Sequence, residues 1–135
     1  MSTPSGSRRE ARERALSLLY EAELKEQAPA DLLAELAVDP DPFAVDLVQG
    51  VGEHQAELDE VIAHYAIDWA LDRMPVVDRN VLRLGVYELL HRTEIPVGAV
   101  ISEAVELAKR YSTEDSGRFV NGVLAGVAAA RETTG

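Results

Sequence analysis

The chain has 135 residues, the length of one ordinary domain, and 47% of them are hydrophobic, so a core can form without disulfide bonds. Thirteen Lys and Arg against 24 Asp and Glu give a net charge of −11, which argues against a generally basic nucleic-acid binder. The absence of cysteine excludes disulfides, thiolate zinc sites and cysteine nucleophiles. The polar beginning and the lack of a long apolar run argue against a secretory signal and a membrane span, so we expect a cytoplasmic protein.

Positive charge is concentrated near the start of the chain. Residues 1–20 contain four arginines and two glutamates, a balance of +2, so the remaining residues carry −13. The four arginines are Arg8, Arg9, Arg12 and Arg14. Because attraction to phosphate depends on local charge, this segment could bind nucleic acid. The alternative is a solvated helix with intrahelical pairs such as Glu10 with Arg14, and charge alone leaves both interpretations open.

The first segment combines a polar leader with a helix. Residues 1–7 contain Pro, Gly and Ser without an apolar anchor, which predicts a disordered leader that ends at an N-cap, Ser7. From Arg8 to about Glu26, apolar residues recur at helical spacing. A second apolar row lies about 150° around this helix from the main stripe and needs its own cover, from this chain or from a partner. The row consists of Leu16, Tyr20 and Leu24.

The next segments also read as helices. A short helix is predicted to begin at Pro29 and to end before the DPDP sequence at residues 39–42, because proline disfavours helix in the residue before it. A long helix is predicted from about Pro42 to Tyr65. Gly50 and Gly52 within it each cost about 1 kcal/mol against alanine, which indicates close helix contacts there.

The second half of the chain is also predicted to be helical. A helical turn is expected at residues 68–73, and longer helices after Pro75, from Pro96 to Tyr111, and from a capping segment at residues 112–116 towards Arg131. The chain therefore predicts an all-α fold of about seven helices without a strand. We expect one domain over residues 8–135, with helical halves at about 8–66 and 67–131 that pack on each other.

The sequence offers few groups for catalysis. His54, His64 and His91 share no i, i+4 pair and no HExxH motif occurs, so no metal site is predicted. Phosphate-binding glycine motifs are missing, and Ser116 lacks a nucleophile motif and is better explained as a cap. We therefore expect neither an enzyme nor a cofactor.

Several sequence motifs resemble the NusB family of bacterial transcription antitermination factors. The motifs are ARERALSLLYEAEL at residues 11–24, VDRNVLRLGVYELL at 77–90, Ile95-Pro96, ISEAVELAK at 101–109 and RFVNGVL at 118–124. Each is weak alone, but together they stand in the family's order and spacing. The resemblance covers roughly residues 9–127.

The resemblance implies an all-α protein of two three-helix-bundle-like halves without catalytic activity. Family members pair with NusE, the ribosomal small-subunit protein ten, and the heterodimer binds the boxA element of nascent RNA. The complex then joins NusA, NusG and RNA polymerase, chiefly on ribosomal RNA operons. Some relatives also form homodimers that hide the RNA surface.

The resemblance also implies roles for individual residues. Positions that match the family's RNA-binding surface are Arg8, Arg9, Arg12, Arg14, Asp115, Arg118 and Phe119. Positions that match the surface facing NusE are Leu16, Tyr20, Leu24, Val77, Asp78 and Leu82. Three of these side chains could instead be buried in the core without contact to RNA or NusE, namely Phe119, Val77 and Leu82.

This chain departs from the family pattern in ways that bear on RNA binding. Glu10 and Glu13 dilute the basic segment, Ser102 stands where Asn is common, and Ala125 stands where Asp often follows GVL. We therefore expect RNA binding to depend on NusE, a basic protein. The alternative is a protein-interaction module that does not bind RNA. Related domains also precede ribosomal RNA cytosine methyltransferases, but we expect no such enzyme from a 135-residue chain without cysteine.

Overall fold

All regular elements in the described part of the chain are helical. The structure is a computed structural model that describes residues 5–67 and 69–134. The elements are α1 (Ser5–Leu24), α2 (Pro29–Glu35), α3 (Pro42–Tyr65), a 3₁₀ turn (Leu71–Arg73), α4 (Val76–His91), α5 (Val97–Tyr111) and α6 (Glu114–Thr134). The all-α prediction is confirmed, and with the 3₁₀ turn the helical elements match the expected number.

Prolines and hydroxyl side chains set most helix starts. Pro29 and Pro42 are the first residues of α2 and α3, while Pro75 and Pro96 immediately precede α4 and α5. Proline suits these positions because its φ is already near the helical value and its missing N–H has no intrahelical partner to lose. Before α6, the Thr113 hydroxyl accepts a hydrogen bond of 3.0 Å from the Ser116 N–H.

The start of α1 differs from the sequence prediction. The helix begins at Ser5, so residues 5–7, predicted to belong to a disordered leader, have a helical backbone. Extension of an existing helix by one turn needs no new nucleation, which offsets the weak helix propensity of Ser and Gly. The rest of the predicted leader, residues 1–4, lies outside the described residues.

The chain divides into two compact units, Met1–Glu53 and His54–Gly135. The division lies within α3, whereas the sequence analysis placed the boundary near residue 66. Because α3 runs without a break for 24 residues, no loop or breaker marks the change of unit. The first unit contains α1, α2 and the first half of α3.

Close contact between α2 and α3 in the first unit explains one of the two helix-interior glycines. A Cβ atom on Gly52 would stand 3.2 Å from the Pro29 Cβ. The prediction that Gly52 is a contact point is therefore confirmed. Leu18, Leu32 and Leu47 are fully buried in this unit.

In the second unit, α4, α5 and α6 pack on one another, and α4 is the most deeply buried helix. Its residues 80–89 are all buried, including polar ones. Arg83 donates two hydrogen bonds to Asp59 of α3, at 2.7 and 3.0 Å. Arg131 of α6 donates a hydrogen bond of 2.7 Å to the Leu89 carbonyl oxygen in the last turn of α4. The guanidinium groups of Arg83 and Arg131 are thus each paired with an acceptor on another helix, which offsets the cost of removing their charge from water.

Candidate nucleic-acid and partner interface

The four arginines of α1 differ in accessibility. Arg9 and Arg14 are exposed, Arg8 is half-buried and Arg12 is buried with 5% exposure. The guanidinium carbons of Arg8 and Arg12 lie 5.5 and 5.4 Å from the centroid of the Phe43 ring. Two cations therefore share one aromatic ring, an arrangement that the i, i+4 spacing of Arg8 and Arg12 makes possible.

Phe43 is a residue that the sequence analysis did not single out. Contacts between guanidinium groups and aromatic rings contribute about 0.5–2 kcal/mol each, depending on desolvation. Phe43 therefore restrains the Arg8 and Arg12 side chains, and the Arg12 side chain has little surface left for another molecule. The most accessible positive charges of α1 belong to Arg9 and Arg14.

At the start of α6, Asp115 and Arg118 form an ion pair. The Arg118 and Asp115 side chains are 79% and 84% exposed. An exposed ion pair contributes at most about 1 kcal/mol, because water and salt screen it. A phosphate group can therefore replace Asp115 as the partner of Arg118 at small cost.

An aromatic pair adjoins this ion pair. The rings of Phe119 and Trp69 meet edge to face, with centroids 5.1 Å apart and an interplanar angle of 70°. Both side chains are half-buried. Phe119 was predicted either as an RNA neighbour or as a core residue, and its partial exposure leaves part of the ring accessible. Trp69 lies within the helical turn that the sequence predicted at residues 68–73, and the sequence analysis assigned it no role in binding.

The second apolar row of α1 is partly exposed. Tyr20 and Leu24 are 41% and 61% exposed, whereas Leu16 is 4% exposed. Tyr20 and Leu24 stand one helical turn apart and form a small apolar surface. Leu16 belongs to the core and presents almost no surface to a partner.

The predicted partner positions on α4 are mostly buried. Val77 is half-buried, whereas Asp78 and Leu82 are fully buried. Neither carboxylate oxygen of Asp78 has a hydrogen-bond partner among the described residues. The prediction that Asp78 and Leu82 contact a partner has no exposed surface to support it, because neighbouring elements surround α4. A helix that is buried on all sides lacks the apolar stripe of an amphipathic helix, so its sequence does not show which positions are exposed.

The structure brings together one group that the sequence analysis did not connect. His54, Glu57 and His91 offer ligand atoms within 4.8 Å of one another, while His64 is exposed elsewhere on α3. The i, i+3 spacing of His54 and Glu57 was the available signal, but His91 is distant in sequence. None of the helices within the described residues is long and apolar enough to cross a membrane.

Comparison with known proteins extends over nearly the whole chain. The model of the NusB family matches residues 9–129. Transcription antitermination protein NusB of Kineococcus radiotolerans is 47% identical, covering 94% of this chain and 96% of the relative. The protein of the same name from Acidothermus cellulolyticus is 49% identical, covering 94% of this chain and 90% of the relative.

Solved structures of NusB are also similar to this chain. T. maritima NusB superposes with a TM-score of 0.81 and 38% identity, covering 96% of this chain and 93% of that one. NusB in a crystal structure of antitermination factors NusB and NusE with dsRNA gives a TM-score of 0.79 and 34% identity, covering 92% of this chain and 97% of that one. Sequence and structure thus agree, and the chain belongs to the NusB family.

Proposed function

We propose that this protein is a transcription antitermination factor and not an enzyme. It pairs with NusE and, with it, binds the boxA element of nascent RNA, chiefly ribosomal RNA transcripts. NusA, NusG and RNA polymerase complete the assembly, which acts in the cytoplasm. The observation that carries this proposal is the match of 92% of the chain to a NusB that was crystallised with NusE and dsRNA.

The RNA-binding groups follow from exposure and chemistry. Arg9 and Arg14 contact phosphates, since their side chains are the accessible cations of α1. Arg118 exchanges Asp115 for a phosphate, and the exposed parts of Trp69 and Phe119 stack on unpaired bases, as aromatic side chains do in single-stranded RNA recognition. Arg12 acts indirectly, through its shared contact with Phe43.

The salt dependence of binding tests the number of arginine contacts. Four phosphate contacts from α1 would give a slope of log affinity against log salt of about −3. With Arg12 buried and Arg8 held on Phe43, the three phosphate contacts of Arg9, Arg14 and Arg118 give a slope of about −2. The net charge of −11 opposes RNA at long range, so a basic partner strengthens the complex.

NusE contacts the exposed part of the apolar row on α1. Tyr20 and Leu24 provide this surface in the first unit, and the half-buried Val77 of α4 is a separate candidate contact in the second unit. An aromatic ring and an aliphatic side chain one turn apart are typical anchors for a protein partner.

The test is a fluorescence-anisotropy titration of labelled boxA RNA and a scrambled RNA, with and without the cognate NusE, at several salt concentrations. We expect selective, salt-sensitive binding that strengthens with NusE. The double variant Arg9→Ala/Arg14→Ala should lose most RNA affinity and keep NusE pairing. Lys25→Ala is the control for loss of an exposed positive charge, because Lys25 directly follows α1 and lies about 24 Å from Arg9 along the helix axis, beyond the screening length of about 8–10 Å.

One further variant separates the two partners. Leu24→Ser should weaken NusE pairing and leave binding of RNA by this protein alone unchanged. NusE pairing without selective RNA binding would instead show a protein-interaction module. A particle of twice the expected mass that binds RNA only after dilution would show a homodimer that masks its RNA surface. Failure to bind either partner would refute the proposed function.

A further inference from the structure

His54, Glu57 and His91 form a compact cluster of metal-ligand groups in the second unit. Glu57 Oε1 lies 2.7 Å from His91 Nε2 and 3.7 Å from His54 Nδ1. The two imidazole rings stack with centroids 4.1 Å apart and an interplanar angle of 22°. One carboxylate oxygen thus lies close to a nitrogen of each ring.

We propose that His54, Glu57 and His91 bind one divalent transition-metal ion, Zn²⁺ among them, and so link α3 to α4. Two imidazole nitrogens and one carboxylate oxygen form a donor set that proteins use for Zn²⁺ with three protein ligands and an open fourth position. Imidazole nitrogen favours Zn²⁺, Ni²⁺ and Cu²⁺ over Mg²⁺ and Ca²⁺, which take oxygen ligands.

The spacing of the ligand atoms fits such an ion after small side-chain rotations. Metal–ligand distances of about 2.0–2.1 Å in a tetrahedral site place the ligand atoms roughly 3.3 Å apart. The three ligand atoms here lie within 4.8 Å of one another. Glu57 is 50% exposed, so its carboxylate can move away from His91 and towards His54 without disturbing the core.

The helices that carry the ligands are held in register. Two residues after Glu57, Asp59 accepts both hydrogen bonds from Arg83 of α4, so the same two helices are joined by a bidentate ion pair close to the cluster. The Tyr87 ring stacks on His91 at 5.4 Å, and the Arg92 guanidinium lies 5.3 Å from the Tyr87 centroid on α4. A metal ion therefore meets ligands on rigid elements, which lowers the entropy cost of binding.

Local charge bears on the affinity in both directions. Arg92 adjoins His91 and disfavours a second cation, while the carboxylate of Glu57 and the acidic balance of the whole chain favour one. The Glu57 carboxylate is itself a ligand, so its negative charge lies closer to the metal ion than the charge of Arg92 does. The expected site is therefore one of moderate affinity.

The test is isothermal titration of the tag-free, full-length protein with ZnCl₂, with MgCl₂ as the control ion. We expect one Zn²⁺ per chain with a Kd of about 10 μM or lower. Mg²⁺ should show no saturable binding over the concentrations at which Zn²⁺ saturates the site. H54Q and H91Q should each weaken Zn²⁺ binding by at least about tenfold. H64Q is the matched control, because it removes an exposed histidine from α3 outside the cluster and should leave the affinity unchanged.

Two further readouts distinguish a specific site from general surface binding. The visible spectrum of bound Co²⁺ should show the intense bands of tetrahedral coordination in the wild type and lose them in H91Q. Affinity should fall as the solution becomes more acidic, because protons compete for the ligand atoms. Circular dichroism of each variant checks its fold, and the wild-type Co²⁺ spectrum tests the site without any variant. A Kd for Zn²⁺ above about 10 μM, or equal Zn²⁺ binding by the wild type, H54Q and H91Q, would overturn the proposal.

Discussion

The contact between Gly85 of α4 and Leu124 of α6 can be tested by the substitution Gly85→Ala. A Cβ atom on Gly85 would lie 2.7 Å from Leu124 Cδ1, 3.0 Å from Cδ2 and 3.4 Å from Cγ. Real Cβ atoms essentially never come within 3.0 Å of a neighbour, so one of the two helices or the leucine side chain must move. Leu124 is fully buried, so any movement of its side chain takes place inside the core.

Two effects of this substitution oppose each other. Alanine in a helix interior is more favourable than glycine by about 1 kcal/mol. Overpacking a dense core costs about 1–3 kcal/mol. Because three atoms of the same buried leucine crowd the new methyl group, the overpacking cost is the larger, and we expect a net loss of about 1 kcal/mol. For a chain of this length, that loss lowers Tm by about 3–4 °C.

Gly122→Ala is the matched control. Gly122 lies in α6, is exposed, and a Cβ atom there would meet nothing within 4 Å. This substitution should therefore raise the free energy of unfolding by about 0.5–1 kcal/mol. Urea titrations followed by circular dichroism measure both variants on the same scale. If Gly85→Ala is as stable as the wild type or more stable, the inferred tight packing between α4 and α6 is wrong.

Three further predictions concern charged groups. Asp59→Asn should lower the free energy of unfolding by about 1–3 kcal/mol in a urea titration, because the largely buried Arg83 loses its ionic partner; a change within error would show that water replaces the pair. Asp115→Asn should tighten boxA binding by a few tenths to about 1 kcal/mol at low salt, since a carboxylate beside phosphate is repulsive; an anisotropy titration with unchanged affinity would remove it from the RNA path. The hydrogen bond to Glu21 raises the pKa of Lys25 above 10.5, so this pair stabilises the fold below that pH and its contribution is lost as the pH rises through the folded-state pKa. An NMR titration of Glu21→Gln should find the pKa of Lys25 lowered, and an unchanged pKa would contradict this cause.

The helices were predictable because local signals and tertiary packing agree. Both ends of α3 lie where the sequence placed them, at Pro42 and Tyr65. The start of α1 was wrong because residues 5–7 have weak helix propensity, and only the cooperativity of the following helix extends it that far. The division between the compact units falls within α3 and not near residue 66, and a continuous helix carries no local mark of such a change in packing.

The candidate site was less predictable because accessibility depends on residues that are distant in sequence. The spacing of Arg8 and Arg12 put them on one face of a helix, but the position of Phe43 beneath them is a tertiary fact. Leu16 and Tyr20 belong to one row in the sequence, yet one is buried and the other is 41% exposed. Periodicity fixes the direction of a side chain on its helix and leaves open what covers it.

The hydrogen bond from Arg131 to the Leu89 carbonyl oxygen has a practical consequence for shortened forms of the protein. Carbonyl groups in the last turn of a helix lack intrahelical partners, and here one of them depends on a side chain 42 residues further along the chain. A deletion that removes Arg131 would therefore act on the end of α4 and not only on the end of α6. Expression tags and truncations are best placed after residue 134, where this link is preserved.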